Sequence, residues 1–314
     1  MRFPGLRFAA IGMSLLSYVT TPLPAGIAQS SQIGAASQMQ QATALLLDRH
    51  YHDAEVLLRS MAARDTENAQ IHVMLAYACF REDKPRESLE EYTRAAQLRT
   101  PTAQDLKWVA EDYVLLNDYA DAQKWMSRSV EMNAEDPDAW YALGRIYYTQ
   151  NLFAKAERCF LRTLTLRPQD ERAENNLGLT YEALYKIDEA NAAYRNAIRW
   201  QDARYPDEQP YLNLGILLRH RGKTEEAESL LRHALEIAPN DPKALMEIAQ
   251  AHVTLHRMAD AESELHKAAK LAPKDAAIHF QLGRVLRKEG KIEEAAAQFQ
   301  KVAELNGSHS SPDR

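Results

Sequence analysis

The sequence predicts an all-α solenoid of stacked helical hairpins, and three columns of residues predict it. Small residues recur every 34 positions, at Ala54, Ser88, Ala122, Ala156 and Ala190, then at Ala227, Ala261 and Ala295 after one insertion of three. With that residue counted as the twentieth place of each unit, units begin at Ala35, Ala69, Ala103, Pro137, Glu171, Glu208, Pro242 and Ala276. Place eight is then Ala42, Ala76, Ala110, Gly144, Gly178, Gly215, Ala249 and Gly283, always Gly or Ala. Place twenty-four is bulky throughout: Leu58, Tyr92, Met126, Phe160, Tyr194, Leu231, Leu265 and Phe299. Antiparallel helices approach closely where one lacks a side chain and the other fills the hole. A fixed period of this length marks an array of supersecondary units that bury their apolar faces against one another.

The elements follow in chain order. Residues 1–28 read as a secretory leader: Arg2 and Arg7 precede an apolar run, Phe8 to Val19, and Gly26-Ile27-Ala28 offers small residues for cleavage. That run of twelve is short of the roughly 20 residues a spanning helix needs, so cleavage near Ala28 is expected and an uncleaved anchor is the alternative. No Cys follows it to carry a lipid. Residues 29–34 read as a linker and 35–306 as the array. Within each unit a turn separates two helices, carried by Gly222-Lys223, Gly290-Lys291 and Asn117-Asp118 in three copies. Second helices open on acids that complement the macrodipole, among them Asp121, Asp188, Glu189, Glu225, Glu226, Asp260, Glu293 and Glu294. Pro168, Pro239 and Pro273 close second helices. Trp200 to Pro210 holds the insertion, and 307–314 reads as a disordered tail. No alternating β-branched run argues for a sheet.

The anchors Trp140, Leu143, Gly144, Tyr147, Ala156, Phe160 and Pro168 resemble the tetratricopeptide repeat consensus at nearly every position. Leu177, Gly178, Tyr181, Ala190 and Tyr194 continue it, as do Leu214, Gly215, Ala227, Leu231, Ala234 and Pro239. The resemblance implies a right-handed superhelix of about eight repeats whose first helices line a concave wall. It implies a protein or peptide partner and no cofactor. In members of this family the ligand faces places two, five, six, nine, twelve and thirteen. Carried onto this chain, these give Tyr77, Phe80, Trp108, Tyr141 and Tyr148, with Lys107, Glu111 and Arg145 between them, in the N-terminal half. They give Asn176, Asn213, Arg219, His220, Glu247, Gln250, Arg284, Arg287 and Lys288 in the C-terminal half. Asn176 and Asn213, both at place six, resemble the asparagine ladder of O-linked N-acetylglucosamine transferases, where amides pair with a peptide backbone. A solvated asparagine face is the structural alternative. The carboxylate clamp of chaperone-docking repeats is not reproduced in register.

Charge and chemistry narrow the function. Removal of Arg2 and Arg7 leaves 36 basic against 44 acidic residues, a net charge near −8, which argues against nonspecific nucleic-acid binding. Cys79 and Cys159 stand two repeats apart and read as packed thiols. His252 and His256 are four apart, yet no Glu follows the first His as in a metallopeptidase helix, so a packed histidine is the preferred reading and no metal is expected. No phosphate loop or nucleophile elbow is present. The expected protein is an exported, non-catalytic scaffold, periplasmic or secreted, that holds an extended partner segment in its groove. A structural subunit of a cell-envelope export or cell-wall assembly is the alternative. A metal or small-ligand binder built on the His-rich C-terminal third is the third reading.

Overall fold

The computed structural model describes residues 25–308. These residues form sixteen α-helices and no strand, in two compact units that divide after Leu98, 25–98 and 99–308. The first unit contains α1 (Ala25–Leu47), α2 (Tyr51–Ala62), α3 (Ala69–Arg81) and α4 (Pro85–Leu98). The second begins with α5 (Ala103–Leu115), α6 (Tyr119–Met132), α7 (Pro137–Thr149), α8 (Phe153–Leu166), α9 (Glu171–Ala183) and α10 (Ile187–Trp200). It continues with α11 (Gln209–His220), α12 (Thr224–Ile237), α13 (Pro242–Thr254), α14 (Met258–Leu271), α15 (Ala276–Lys288) and α16 (Ile292–Ser308). First helices therefore start within one residue of the place-one positions from Ala69 onward. The expected leader lies outside the described residues apart from 25–28. Helix α1 runs through 29–34, so that stretch is helical where the sequence suggested a linker. Gly307 and Ser308 likewise belong to α16, while 309–314 lie outside the described residues.

The packing columns act within each hairpin as their chemistry requires. Every small residue at place twenty is buried, from Ala54 and Ser88 at 0% exposure to Ala295 at 2%. A Cβ built on Gly144 would stand 2.7 Å from the Phe160 ring, on Gly178 2.5 Å from Tyr194, on Gly215 2.8 Å from Leu231 and on Gly283 2.8 Å from Phe299. Where place eight is Ala, the partners Leu58, Met126 and Leu265 are flexible enough to leave room, and Tyr92 opposite Ala76 is the exception. The core is accordingly a series of small clusters. One joins Ala156, Phe160, Leu177 and Ala193, and another joins Leu231, Ala234, Ala244 and Ile248.

All eight hairpin turns end the first helix in the same way. Place fifteen is left-handed in each: Arg49, Asp83, Asn117, Asn151, Tyr185 and His256 at φ 57° to 63°, Gly222 at 74° and Gly290 at 80°. The next residue's N–H reaches back to the place-eleven carbonyl at 2.8–3.0 Å, as in Lys84 to Cys79 and Lys186 to Tyr181, while place fifteen donates to place twelve. This is the Schellman arrangement, and it satisfies carbonyls that the helix end orphans. Only two of the eight are Gly, because the turn is imposed by the hairpin and paid for by its hydrogen bonds. Tyr185 at φ 59° is 90% exposed and gains no packing from its ring. Tyr185→Gly is expected to raise stability by about 0.5–1 kcal/mol, since a non-glycine residue in this region costs roughly 1–2 kcal/mol and glycine returns part of that as unfolded-chain entropy. A thermal midpoint unchanged or lowered in circular dichroism would contradict this.

Between repeats, two polar devices recur. First helices are capped by Asn68, Thr102, Asp136, Asp170, Asp241 and Asp275, whose side chains accept from the first-turn amides. Helix α11, after the insertion, has no side-chain cap. Acids at place twenty-one meet cations at place sixteen of the next repeat: Glu55 with Lys84 at 2.6 Å, Glu157 with Lys186 at 2.7 Å, Glu228 with Arg257 at 2.8 Å and Glu262 with Lys291 at 2.5 Å. Place four adds a third contact in three repeats. Trp140 Nε1 donates to Ala134 O at 2.9 Å, and His72 Nε2 and His279 Nε2 each lie 3.1 Å from the carbonyls of Thr66 and Pro273. No helix among the described residues is long and apolar enough to cross a membrane.

Candidate protein-interaction surface

The first helices carry the residues expected to face a ligand, and the structure sorts them into three groups. In the first unit, Tyr77 and Phe80 on α3 are half-buried. The Tyr77 ring meets Tyr51 edge-on at 6.3 Å and lies 6.5 Å from Phe80. Arg81 packs its guanidinium 4.4 Å from the centre of the Tyr51 ring and donates to the Tyr77 hydroxyl at 3.0 Å. Cation–π stacking of this kind orders an aromatic cluster while leaving its edge accessible.

In the second unit the aromatic group gathers on α5, α7 and α9. Lys107 pairs with Asp136, the cap of α7, at 2.7 Å and lies 5.7 Å from the Trp108 ring, which is half-buried. Tyr141 packs on Phe160 at 5.9 Å between two guanidiniums, Arg172 at 4.9 Å and Arg145 at 6.0 Å. Burial pushes its phenol above the ordinary range, with Arg145, Arg172 and the Asn176 hydrogen bond opposing. Asn176 Nδ2 donates to the Tyr141 hydroxyl at 3.1 Å and to the Arg172 carbonyl at 2.9 Å. Among the described residues no donor meets Asn176 Oδ1. Tyr148 stands edge-on to Phe153 at 5.4 Å. Glu111 faces the same region, and burial raises its carboxyl despite Arg145 and Lys107. Arg145 is exposed and has no carboxylate in ion-pair contact among the described residues.

The two asparagines of the expected ladder differ in their surroundings. Asn213 is only 8% exposed and donates to Asn175 Oδ1 at 3.0 Å, joining α11 to α9. Its amide serves the stacking of repeats, because a buried amide is stable only when bonded. Arg219 likewise spends its charge on Glu247, with Nε at 3.0 Å and Nη2 at 2.8 Å, and its Nη2 lies 2.9 Å from His220. Gln250 is half-buried on α13. At the last first helix, Arg284, Arg287 and Lys288 are exposed beside Phe280, itself 45% exposed. Arg172 at place two, with Asn175 and Phe280 at place five, were reachable from the same register but were not singled out.

Cation sites are occupied by the chain's own side chains. His52, Glu55 and Glu82 converge, as do Glu55, Cys79 and Glu87. Lys84 Nζ sits 2.6 Å from both Glu55 and Glu82, and Arg59 bonds Glu55 at 2.7 Å and also contacts Glu87. Burial opposes ionisation of Glu55, yet Lys84 and Arg59 hold it down at about 2. His252 is buried with Nε2 3.3 Å from Glu228, whereas His256 lies beyond the end of α13 in the left-handed turn, so the helical pairing needed for two metal ligands does not form. Cys79 and Cys159 are free and buried, and burial pushes both thiols up to about 12.

Comparison with known proteins agrees with this architecture. Sequence profiles described as tetratricopeptide repeat match residues 110–171 and 175–242, 218–279, and 276–309, together more than half of the chain. The chain is 24% identical over 213 residues to anaphase-promoting complex subunit 3 of Schizosaccharomyces pombe, covering 57% of this chain and 32% of that protein. It is 23% identical over 227 residues to human protein O-mannosyl-transferase TMTC3, covering 65% of this chain and 25% of that protein. It thus spans a quarter to a third of the length of these relatives. Among solved structures, a tetratricopeptide repeat protein from Parabacteroides merdae superposes with TM-score 0.61 at 17% identity, covering 80% of this chain and 98% of that one. The type IV pilus biogenesis factor PilW superposes with TM-score 0.59 at 21% identity, covering 67% and 95%. These structural likenesses speak for the fold. Hairpins in a 34-residue register, their shared turn geometry and the matching profiles together place this chain in the tetratricopeptide repeat family, whose solenoids act as protein-binding scaffolds.

Proposed function

We propose that this chain is an exported, non-catalytic adaptor whose first-helix face captures an extended segment of a partner protein. The observation that carries the reading is the constellation around Tyr141. Its ring is held by Phe160 and Arg172, its hydroxyl is fixed by Asn176, and Arg145 projects unpaired beside it. A prepositioned aromatic with a neighbouring guanidinium supplies contact area at low entropy cost. Asn176 Oδ1 supplies an acceptor for a backbone N–H. Export rests on the order of Arg2, Arg7, the apolar run and Gly26-Ile27-Ala28.

The test places a photo-crosslinking amino acid at Trp108 or Tyr148 and, for comparison, at Leu161 on α8, in cells fractionated into cytoplasm and envelope. Crosslinks from the first-helix positions are expected to dominate and to fall about tenfold with Tyr141→Ala and Arg145→Ala together, the loss expected for a two-residue hot spot. Crosslinks mainly from Leu161, or unchanged by the double substitution, would overturn the reading. N-terminal sequencing of the envelope fraction tests cleavage near Ala28. A second reading, a structural subunit of a cell-envelope assembly held through its convex face and ends, is favoured by Tyr185 and Tyr205, 90% and 80% exposed on two turns away from the first-helix contacts. It predicts crosslinks at those two positions instead.

A further inference from the structure

The last first helix, α15, gathers three cations without a carboxylate in ion-pair contact, where α7 leaves one, Arg145. Lys107 meets Asp136, Arg172 meets Asp138 and Asp170, and Arg219 meets Glu247. Arg284, Arg287 and Lys288 meet no carboxylate among the described residues, although the chain as a whole is acidic, with formal net charge −6. Arg284 Nη1 donates only to Gln281 Oε1, at 3.2 Å, and its guanidinium stands 6.0 Å from the Phe280 ring centre. Phe280 packs edge-on against Phe299 at 5.9 Å, and Arg287 lies 5.6 Å from the Phe299 ring. The exposed Phe280 is thus held in place from behind by Phe299, and three uncompensated cations continue its line along the helix.

The spacing of that line matches one kind of ligand. Phe280, Arg284 and Lys288 follow one another at four-residue intervals, each about 6 Å along the axis at 1.5 Å per residue. An extended peptide places same-side residues about 6.6 Å apart, at 3.3 Å per residue. We propose that the α15 stripe binds an extended acidic segment lying along the helix, with carboxylates at alternate positions on Arg284 and Lys288 and an apolar side chain two residues further on Phe280. Arg287 stands between the two cations and reinforces the carboxylate nearest it. The proposal rests on the first-helix face being the capture surface and names the chemistry its C-terminal end selects. Guanidinium and ammonium groups bind carboxylates through charge-assisted hydrogen bonds, and a cluster of free cations attracts an acidic partner and repels a basic one.

The probe is a fluorescein-labelled synthetic heptapeptide, Ala-Leu-Ala-Glu-Ala-Glu-Ala, titrated with the full chain and read by fluorescence polarisation. An isomer with the two Glu adjacent, Ala-Leu-Ala-Ala-Ala-Glu-Glu, has the same charge and composition. The alternating peptide is expected to bind about fivefold or more tightly than its isomer, and Arg284→Ala with Lys288→Ala to weaken it about tenfold, since two charge-assisted contacts are lost. Both side chains are exposed, so the fold is expected to stay intact by circular dichroism. Charge reversal, Arg284→Glu with Lys288→Glu, is expected to transfer binding to Ala-Leu-Ala-Lys-Ala-Lys-Ala. Equal affinity for the two isomers, insensitivity to the double substitution, or no transfer on charge reversal would each overturn the proposal. So would single-stranded oligonucleotide or anionic vesicles bound more tightly than the peptide through the same two residues. If the peptide fails while crosslinks from Trp108 and Tyr148 persist, only the α15 assignment falls. If those crosslinks fail while the peptide binds, the wider capture face falls and the α15 contact stands alone.

Discussion

Gly144→Ala is expected to destabilise the second unit by about 1–3 kcal/mol, the cost of overpacking a filled core site. The added Cβ would lie 2.7, 2.9 and 3.0 Å from three atoms of the Phe160 ring, and Phe160 is 0% exposed. A buried ring cannot swing aside as a flexible chain end does, so α7 and α8 must separate. The expected readout is a thermal midpoint several degrees lower, with faster hydrogen exchange concentrated in α7 and α8, because stability in a repeat array is carried by nearest-neighbour contacts. Phe160→Leu in the same chain is expected to recover much of the loss, since the pair then becomes Ala opposite Leu, as in Ala42 with Leu58 and Ala249 with Leu265. A Gly144→Ala midpoint equal to the original, or a double variant worse than the sum of the two single ones, would refute the packing argument.

Asp170→Ala is expected to cost about 2–3 kcal/mol, combining a lost cap of about 1 kcal/mol with a broken ion-pair network whose cations are partly solvated. Asp170 is 2% exposed and accepts from Ala173 N at 2.9 Å, while Arg167 and Arg172 reach it at 2.9 and 3.3 Å. Arg167 also bridges both oxygens of Asp138 at 3.0 and 3.1 Å. Burial disfavours the Asp170 carboxylate, but the Ala173 amide and the two arginines hold its titration below the ordinary range. Asp138 is lowered chiefly by its Arg167 hydrogen bonds. A carboxyl lowered in the folded state stabilises the fold above its unfolded value, near 3.9, and that contribution disappears as pH falls through the folded value. Resistance to denaturant is therefore expected to decline as pH drops below about 4, and Asp170→Asn is expected to show a shallower decline over that interval. A decline of equal steepness in the variant would assign the acid sensitivity elsewhere.

Much of the fold was legible because its determinants repeat. A missing side chain at Gly144 or Gly178 and a ring at Phe160 or Tyr194 stand sixteen positions apart in the same hairpin, so one column of small residues implies the other. The turn was legible only in part. Gly222, Gly290 and Asn117 advertise a left-handed residue, whereas Arg49, Tyr185 and His256 adopt the same conformation against their own preference. At those positions the geometry of the closing hairpin overrides local propensity. The caps Asp136, Asp170, Asp241 and Asp275 are visible as residue types one position before their own first helices, although which acid caps and which merely faces the dipole depends on the backbone. The surface was less legible. Register placed Asn213 and Arg219 among ligand-facing residues, and each proved to be engaged by the neighbouring first helix, through Asn175 and Glu247.

The sequence by itself determined the unit length, the number of hairpins, the starts of most first helices and the residues that close each hairpin. These depend on contacts within one repeat, where spacing along the chain and spacing in space are the same information. The tertiary structure decided which outward-facing polar groups remain available. Asn213 meets Asn175 across 38 positions, Arg219 meets Glu247 across 28, and Tyr141 meets Asn176 across 35. Whether such side chains bond each other or are left for a partner depends on how adjacent repeats stack. Arg284, Arg287 and Lys288 form no ion pair among the described residues, and Arg145 acts on Glu111 of α5 only through its field. That difference between a neutralised and an uncompensated cation marks the surface a partner can use.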